Sequence, residues 1–306
     1  MFQSLPDLAD AVADGDRVGL PGDAAGVAMA ATRELIRRDA RDLRLFCLPG
    51  SGLAVDVLVG AGAVAELETA GADLGEHGPA PCLARALAAG TVRHTELGGA
   101  VLDARLTAAA HGAPFIPLGA RTATASAPHP ANWPVIANPL AAVGDEGVLL
   151  VPAVSLDVAL FHCAAADEYG NVFIGRRHEL ATLARAAART LVTVEEIVAG
   201  SLLASERDAA GALASEHVDG IALAPMGARP LALGEHYGAD GEALAAYARV
   251  AASAAGFHTW LDQALGQAAL ARARRPAPKA WAAVRFRRSS RRGRRFCSAA
   301  SDRRCR

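Results

Sequence analysis

Short runs with apolar residues at consecutive positions recur along this chain, and stretches of helical periodicity fall between many of them. Arg17–Leu20, Leu43–Leu48, Thr91–Glu96, Pro114–Leu118, Val148–Val154, Val158–Cys163, Asn171–Ile174, Leu191–Val194 and Val218–Ala224 read as strands. Successive side chains of a strand point to opposite sides of its sheet, so a strand apolar at every position must be covered on both faces. The helical stretches that supply the cover are Val27–Arg38, Pro81–Ala89, Ala100–His111, Glu179–Ala188, Glu195–Leu203 and Glu242–Leu265. The pattern predicts an α/β fold, a mainly parallel sheet flanked by helices.

Composition refines this in one respect. The formal net charge of the 306 residues is -1, but fourteen of the 31 Lys and Arg residues lie in 271–306, where Asp302 is the only acid. The body then holds 17 basic residues against 31 acidic ones, and an acidic body repels nucleic acid. We therefore divide the chain into a folded domain, 1–265, and an Arg-rich tail, 266–306, which loses helical patterning and is expected to be disordered. Two origins for the tail stay open: a basic arm for an anionic partner, or an out-of-frame readout of a GC-rich gene. Neither offers specific nucleic-acid recognition.

Other classes are set aside more briefly. The window 147–166 is apolar enough to resemble a membrane span, but Pro152 and Asp157 interrupt it, and two buried strands with a turn fit better. The acidic start lacks the apolar segment of a secretory signal. Five cysteines without a CxxC pair or ligand spacing point to reduced thiols, a cytoplasmic location and no metal site. Gly60-x-Gly62 is too short for a dinucleotide fingerprint. The Pro-rich segment 119–139 reads as a long loop that is either mobile or part of a binding surface.

Several residues carry candidate chemistry. Leu20-Pro21-Gly22-Asp23-Ala24-Ala25-Gly26 ends a strand in small residues and leads into a helix, a place where backbone N–H groups can approach a ligand. Asp23 is suited to capping a nearby helix, and if ionised it would repel an oxyanion. Gly227-Ala228 permits close backbone approach after its strand. Asp167-Glu168-Tyr169-Gly170-Asn171 is a tight corner in which Asp167 caps its own backbone. His162 reads as a satisfied core or rim histidine. Glu195-Glu196 reads as the acidic start of a helix.

Four segments together resemble the A subunits of the family I CoA-transferases, nearest the glutaconate CoA-transferase-like branch. They are "LVPAVSLDVALFHCAAADEYGNVFI" (150–174), "ARAAARTLVTVEEIV" (184–198), "VDGIALAPMGARPLALGEHYGAD" (218–240) and "HGAPFIPL" (111–118). Each is weak alone; their order and spacing are specific, and the similarity spans about 5–265. The resemblance implies a heteromer that moves CoA between small carboxylic acids by covalent catalysis, with a CoA thioester as substrate and no permanently bound cofactor. It implies that the nucleophilic Glu lies in the B subunit of the CoA-transferase, since no Ser-Glu-Asn-Gly-like segment occurs here. This chain would supply an oxyanion loop, Gly22, Asp23 and Ala24, and part of an acyl pocket, with Glu96, Gly98, Gly99 and Gly227 as candidates. The loop departs from the family pattern: Pro21 replaces a glycine and removes an N–H, and Asp23 replaces an aromatic residue. Two other outcomes follow from the same resemblance: a hydrolase subunit for ring-opened, steroid-type CoA thioesters, or a degenerate subunit that only binds its partner.

Overall fold

The computed structural model describes residues 1–119, 130, 132–140 and 147–273. The larger sheet has the order β1 (Phe2–Gln3), β13 (Gly220–Leu223), β11 (Ala187–Val198), β9 (Leu156–Asp167), β2 (Arg17–Leu20), β3 (Leu43–Cys47), β4 (Val64–Thr69) and β5 (Arg93–Glu96). All seven pairings along this path are parallel. β10 (Val172–Phe173) and β12 (Ala212–Leu213) extend it in antiparallel fashion around the Asp167 corner.

Helices α1 (Leu5–Asp10), α2 (Met29–Arg37), α3 (Leu53–Gly60), α4 (Pro81–Ala89), α8 (Gly241–Val250) and α9 (Ala254–Ala273) share one apolar layer with the sheet. Helices α5 (Gly99–Ala110) and α6 (His178–Ala186) share the other, and the short α7 (Glu206–Ala209) precedes β12. Within β9 the alternation is explicit: Val158 and Leu160 belong to the first layer, Ala159, Phe161 and Cys163 to the second. This is the doubly covered parallel sheet that the apolar runs predict.

Strand order also decides where a site can form. From β2 the chain builds outward through β3, β4 and β5, and later returns to the other side of β2 with β9, β11 and β13. In such sheets the connections on either side of the reversal leave a crevice beyond the carboxyl ends of the strands. The Pro21–Gly26 bend leaves β2 there.

Some expectations need correction. Glu195–Leu203 is not a helix, because β11 runs on to Val198 and pairs with β9 as far as Asp167. Pro114–Leu118 does not join the parallel sheet. It forms β6 (Phe115–Gly119) in a separate antiparallel sheet with β8 (Val148–Pro152) and β7 (Val135–Ile136). Glu242–Leu265 is broken at Ser253, whose Oγ accepts the Gly256 N–H and starts α9 afresh. α9 is described as far as Ala273; residues 274–306 of the tail and most of the 119–139 loop lie outside the described residues. The pair α3 and β4 is not anticipated by the apolar and helical patterns. The 147–166 window is β8, a turn and β9, and no helix among the described residues is long and apolar enough to cross a membrane.

Candidate active site

The bend is fixed first from the β3 side. Gly22 is extended (φ −63°, ψ 156°), Asp23–Ala25 make one 3-10 turn, and Gly26 closes it in the left-handed region at φ 95°. The Asp23 N–H donates to Gly50 O (2.9 Å), and the Ala25 N–H to Gly22 O (2.8 Å). The Ser51 hydroxyl sits between the carbonyls of Leu48 (2.7 Å) and Pro21 (2.9 Å). The Asp23 carboxylate turns toward α3 and accepts from the N–H groups of Gly52 and Leu53, both at 3.0 Å. It is therefore a helix cap supplied from a distant strand end, and the helix it caps is α3 rather than the following α2. Burial pushes its pKa up to about 6; the two N–H donors oppose this, and the nearby Asp73 adds to it.

Gly22, Asp23 and Ala24 line a cleft of about 420 Å³. Pro49 and Gly50 form another wall, Asp103 and Leu106 come from α5, and Glu179 and Thr182 from α6. Among the described residues, the two N–H groups of the Gly22–Ala24 stretch without an internal acceptor are those of Gly22 and Ala24. Among the described residues, the lining holds three acids, Asp23, Asp103 and Glu179, and no basic side chain. Behind the bend, Arg177 Nη1 is buried without a partner among the described residues, and a Cβ at Gly26 would lie 2.8 Å from it.

α5 is held over the cleft by a buried ion pair. Arg105 on α5 meets Glu68 of β4, and its guanidinium carbon lies 5.9 Å from the Phe46 ring centroid and 5.4 Å from that of Trp133. A buried pair of this kind fixes a helix over a sheet more than it adds net stability. Burial pushes the Cys163 thiol up to about 12, which disfavours it as a nucleophile.

The other side of the bend is held by a second cluster. His162 on β9 is fully buried and pairs in register with Thr193 on β11; Glu195 lies two residues further on the same face. Glu195 Oε1 lies 2.7 Å from His162 Nε2, and the Thr193 hydroxyl lies 2.8 Å from His162 Nδ1. Burial is the largest influence on His162 and lowers its pKa, against the pull of Glu195. The neutral ring then donates from Nε2 to the carboxylate and accepts from Thr193 at Nδ1, a hydrogen-bonded pair rather than an ion pair. Burial alone would raise the Glu195 carboxyl, but donors from His162, Tyr237 and Met226 outweigh it and hold it at about 2. The expectation of a satisfied histidine at 162 matches this geometry. The helix-start role for Glu195 does not, because Glu195 lies within β11, where His162 of the neighbouring strand β9 fixes its side chain.

The remaining candidates separate. Gly98 is the N-cap of α5, and a Cβ at Gly99 would lie 3.5 Å from Cγ of Pro49 in the cleft wall, but neither glycine is itself among the lining residues. Glu96 ends the edge strand β5 and is exposed. Gly227 lies against His162, where a Cβ would come within 2.5 Å of the ring, and is not part of the cleft lining. Sequence reasoning missed Asp103, Leu106, Glu179 and Thr182. Each looks like an ordinary residue of an amphipathic helix, and only the packing of α5 and α6 over the bend sets it at the cleft. The Asp167 corner is as expected: its carboxylate accepts from Tyr169 and Asn171 N–H groups, both at 2.9 Å. Among the described residues no cluster of three or more His, Cys, Asp or Glu side chains could hold a metal ion.

Comparison with known proteins agrees with this architecture. The A subunit of a 3-oxoadipate CoA-transferase from Pseudomonas knackmussii is 30% identical over 259 residues, covering 82% of this chain and 88% of its own. A cholesterol ring-cleaving hydrolase IpdA subunit from Mycobacterium tuberculosis is also 30% identical, over 84% of this chain and 94% of its own. An uncharacterized protein from Archaeoglobus fulgidus is 38% identical over 56% of this chain, a match that spans 38% of that longer protein. Among solved structures, glutaconate coenzyme A-transferase from Acidaminococcus fermentans superposes with a TM-score of 0.75 at 26% identity, covering 86% of this chain and 87% of its own. A variant of the decarboxylase AibA/AibB gives 0.72 at 34% identity, over 86% of this chain and 98% of its own. The model of the coenzyme A transferase family matches residues 3–218, and the chain belongs to that family.

Proposed function

We propose that this chain is the A-type component of a heteromeric enzyme that moves CoA between small carboxylic acids, and that its Pro21–Gly26 bend receives the acyl-thioester oxygen. The observation that carries this reading is the placement of the Gly22 and Ala24 N–H groups beside an open cleft at the reversal of strand order. Donors held by the backbone need no reorganisation as negative charge develops on a carbonyl oxygen, and removing one such donor typically costs about 100- to 1,000-fold in rate. The Asp23 charge does not oppose this, because its carboxylate is turned onto α3. The Arg177 guanidinium behind Gly26 adds a favourable field.

The attacking carboxylate comes from a companion B-type chain in this reading. That carboxylate attacks the donor acyl-CoA, expelling CoA thiolate and leaving an acyl-glutamyl anhydride. The thiolate then attacks the glutamyl carbonyl, releasing the donor acid and forming a glutamyl-CoA thioester. The acceptor carboxylate expels the thiolate from that thioester, and the thiolate takes the acceptor acyl group and frees the glutamate. Gly99, beside the Pro49 wall, and its neighbour Gly98 leave room for the acyl group, whereas Glu96 and Gly227 lie outside the cleft lining. The acidic lining leaves any cation needed for a carboxylate-bearing acyl group to the companion chain.

The test is to co-express this chain with its B-type companion, then assay CoA exchange across short dicarboxylic and 3-oxo acids. Exchange that requires both chains and an acceptor acid supports the proposal; a well-folded heteromer that transfers nothing overturns it. The likeness to subunits named for a ring-cleaving hydrolase supports a hydrolase reading only in its class; the specific second reading is thioester hydrolysis of ring-opened substrates. Release of free CoA without any acceptor acid would select it. A degenerate, partner-binding chain would co-purify with the companion and turn over no acyl-CoA in either assay.

A further inference from the structure

We propose that Glu195 is a positioning residue for this site: its carboxylate fixes the 226–229 turn and the His162 ring, and through them the start of α2 and the bend that precedes it. The inference rests on the bend being the acyl-oxygen site, but its structural half stands independently.

The chain of contacts is continuous. Glu195 Oε2 accepts the Met226 N–H (2.5 Å), while Oε1 accepts from the Gly227 N–H (3.2 Å) and the Tyr237 hydroxyl (2.6 Å). Met226 is one of three non-glycine residues at positive φ (57°) among the described residues. Such a backbone persists where its surroundings over-determine it, and the carboxylate provides that here. The turn passes the restraint to α2: Gly227 O accepts the Ala30 N–H at 2.8 Å, and Arg229 O accepts from the Arg33 guanidinium at 2.6 Å.

The second route runs through His162. Its ring, locked between Thr193 and Glu195, packs on Gly227, and its main-chain N–H donates to Gly26 O at 2.7 Å. Gly26 has no room for a side chain, because a Cβ would collide with the His162 carbonyl oxygen. Both routes therefore meet at the residues that join the bend to α2. Glu195 does not line the cleft, so it acts through these contacts rather than on substrate.

Thr193→Val and Thr193→Ser separate positioning from plain stability, because the first deletes the hydroxyl that locks the ring and the second keeps it. Glu195→Gln adds a direct test. In the full chain, amide hydrogen exchange at residues 22–30 should speed up about tenfold in T193V and E195Q relative to the rest of the sheet. T193S should restore protection. In the heteromer, kcat for CoA exchange should fall about tenfold in T193V with KM within twofold, and T193S should recover most of it. Bend protection equal to wild type, with loosening confined to 226–229 or spread evenly over the protein, would overturn the proposal. If the wild-type heteromer exchanges no CoA, the transferase reading fails, and the exchange data still decide the positioning claim.

Discussion

Two carboxylates flank the bend, one from each side of the strand reversal, and they are held in opposite ways. Asp23 faces α3, accepts two backbone N–H groups, feels Asp73 nearby, and is pushed up to about 6. Glu195 faces β9 and the 226–229 turn, accepts from four donors, and is held at about 2. The number of donors against the cost of burial decides the sign. The β3 side of the bend is thus tied by a group whose ionisation strains the fold, and the β9 side by one whose ionisation is required for it.

The contrast is open to attack at several points. Gly26→Ala removes the pivot shared by both sides; with φ at 95° and the His162 carbonyl in the way, a loss of about 3 kcal/mol or more is expected in urea unfolding. Glu195→Ala leaves four donors without their acceptor and should cost about 3 kcal/mol. Asp23→Ala uncaps α3 and should cost only about 1 kcal/mol. A larger loss from Asp23 than from Glu195 would invert the comparison.

The pH dependence sharpens it further. Asp23 has a folded pKa above its ordinary value of 3.8, so its favourable contribution is complete below 3.8 and lost as pH rises through about 6. Stability of wild type relative to Asp23→Asn should therefore decline by about 2 kcal/mol over that interval, a figure reduced from the full shift for partial exposure. Glu195 has a folded pKa below its ordinary 4.5, so its contribution is present above 4.5 and lost as pH falls toward about 2. Wild type relative to Glu195→Gln should accordingly lose stability only on acidification. Matching slopes for the two pairs would remove the distinction. The smallest effect is expected at the rim: Asp103→Asn removes one exposed like charge from the cleft and should lower KM for an anionic acyl-CoA about twofold, with Tm unchanged.

The sheet was legible because its strands are apolar on both faces, and periodicity reports that directly. β11 was cut short because Glu195-Glu196 looks like a helix start when read locally; its partner His162 is 33 residues away and visible only in register. α3 and β4 are not legible for a different reason: although Gly60-Ala61-Gly62 separates them, each flank is a short apolar run that shows no clear helical or strand period. The bend itself was found from Pro21, Gly22 and Gly26. What could not be read was the direction of the Asp23 side chain, which depends on an α3 N-terminus lying across the strand end. The stretch 218–240 was recognised as a pattern, but its role as the wall that receives Glu195 emerges only when Met226, Gly227 and Tyr237 converge.

The most direct test of the account is a crystal structure of the heteromer with a ketone-bridged acyl-CoA analogue, which keeps the carbonyl but cannot release a thiol. The account predicts the analogue's carbonyl oxygen at about 2.7–3.1 Å from the backbone nitrogen of Gly22 or Ala24, with the companion chain's carboxylate on the opposite face of that carbon. A carbonyl bound elsewhere, with the Pro21–Gly26 bend unvisited, would contradict it.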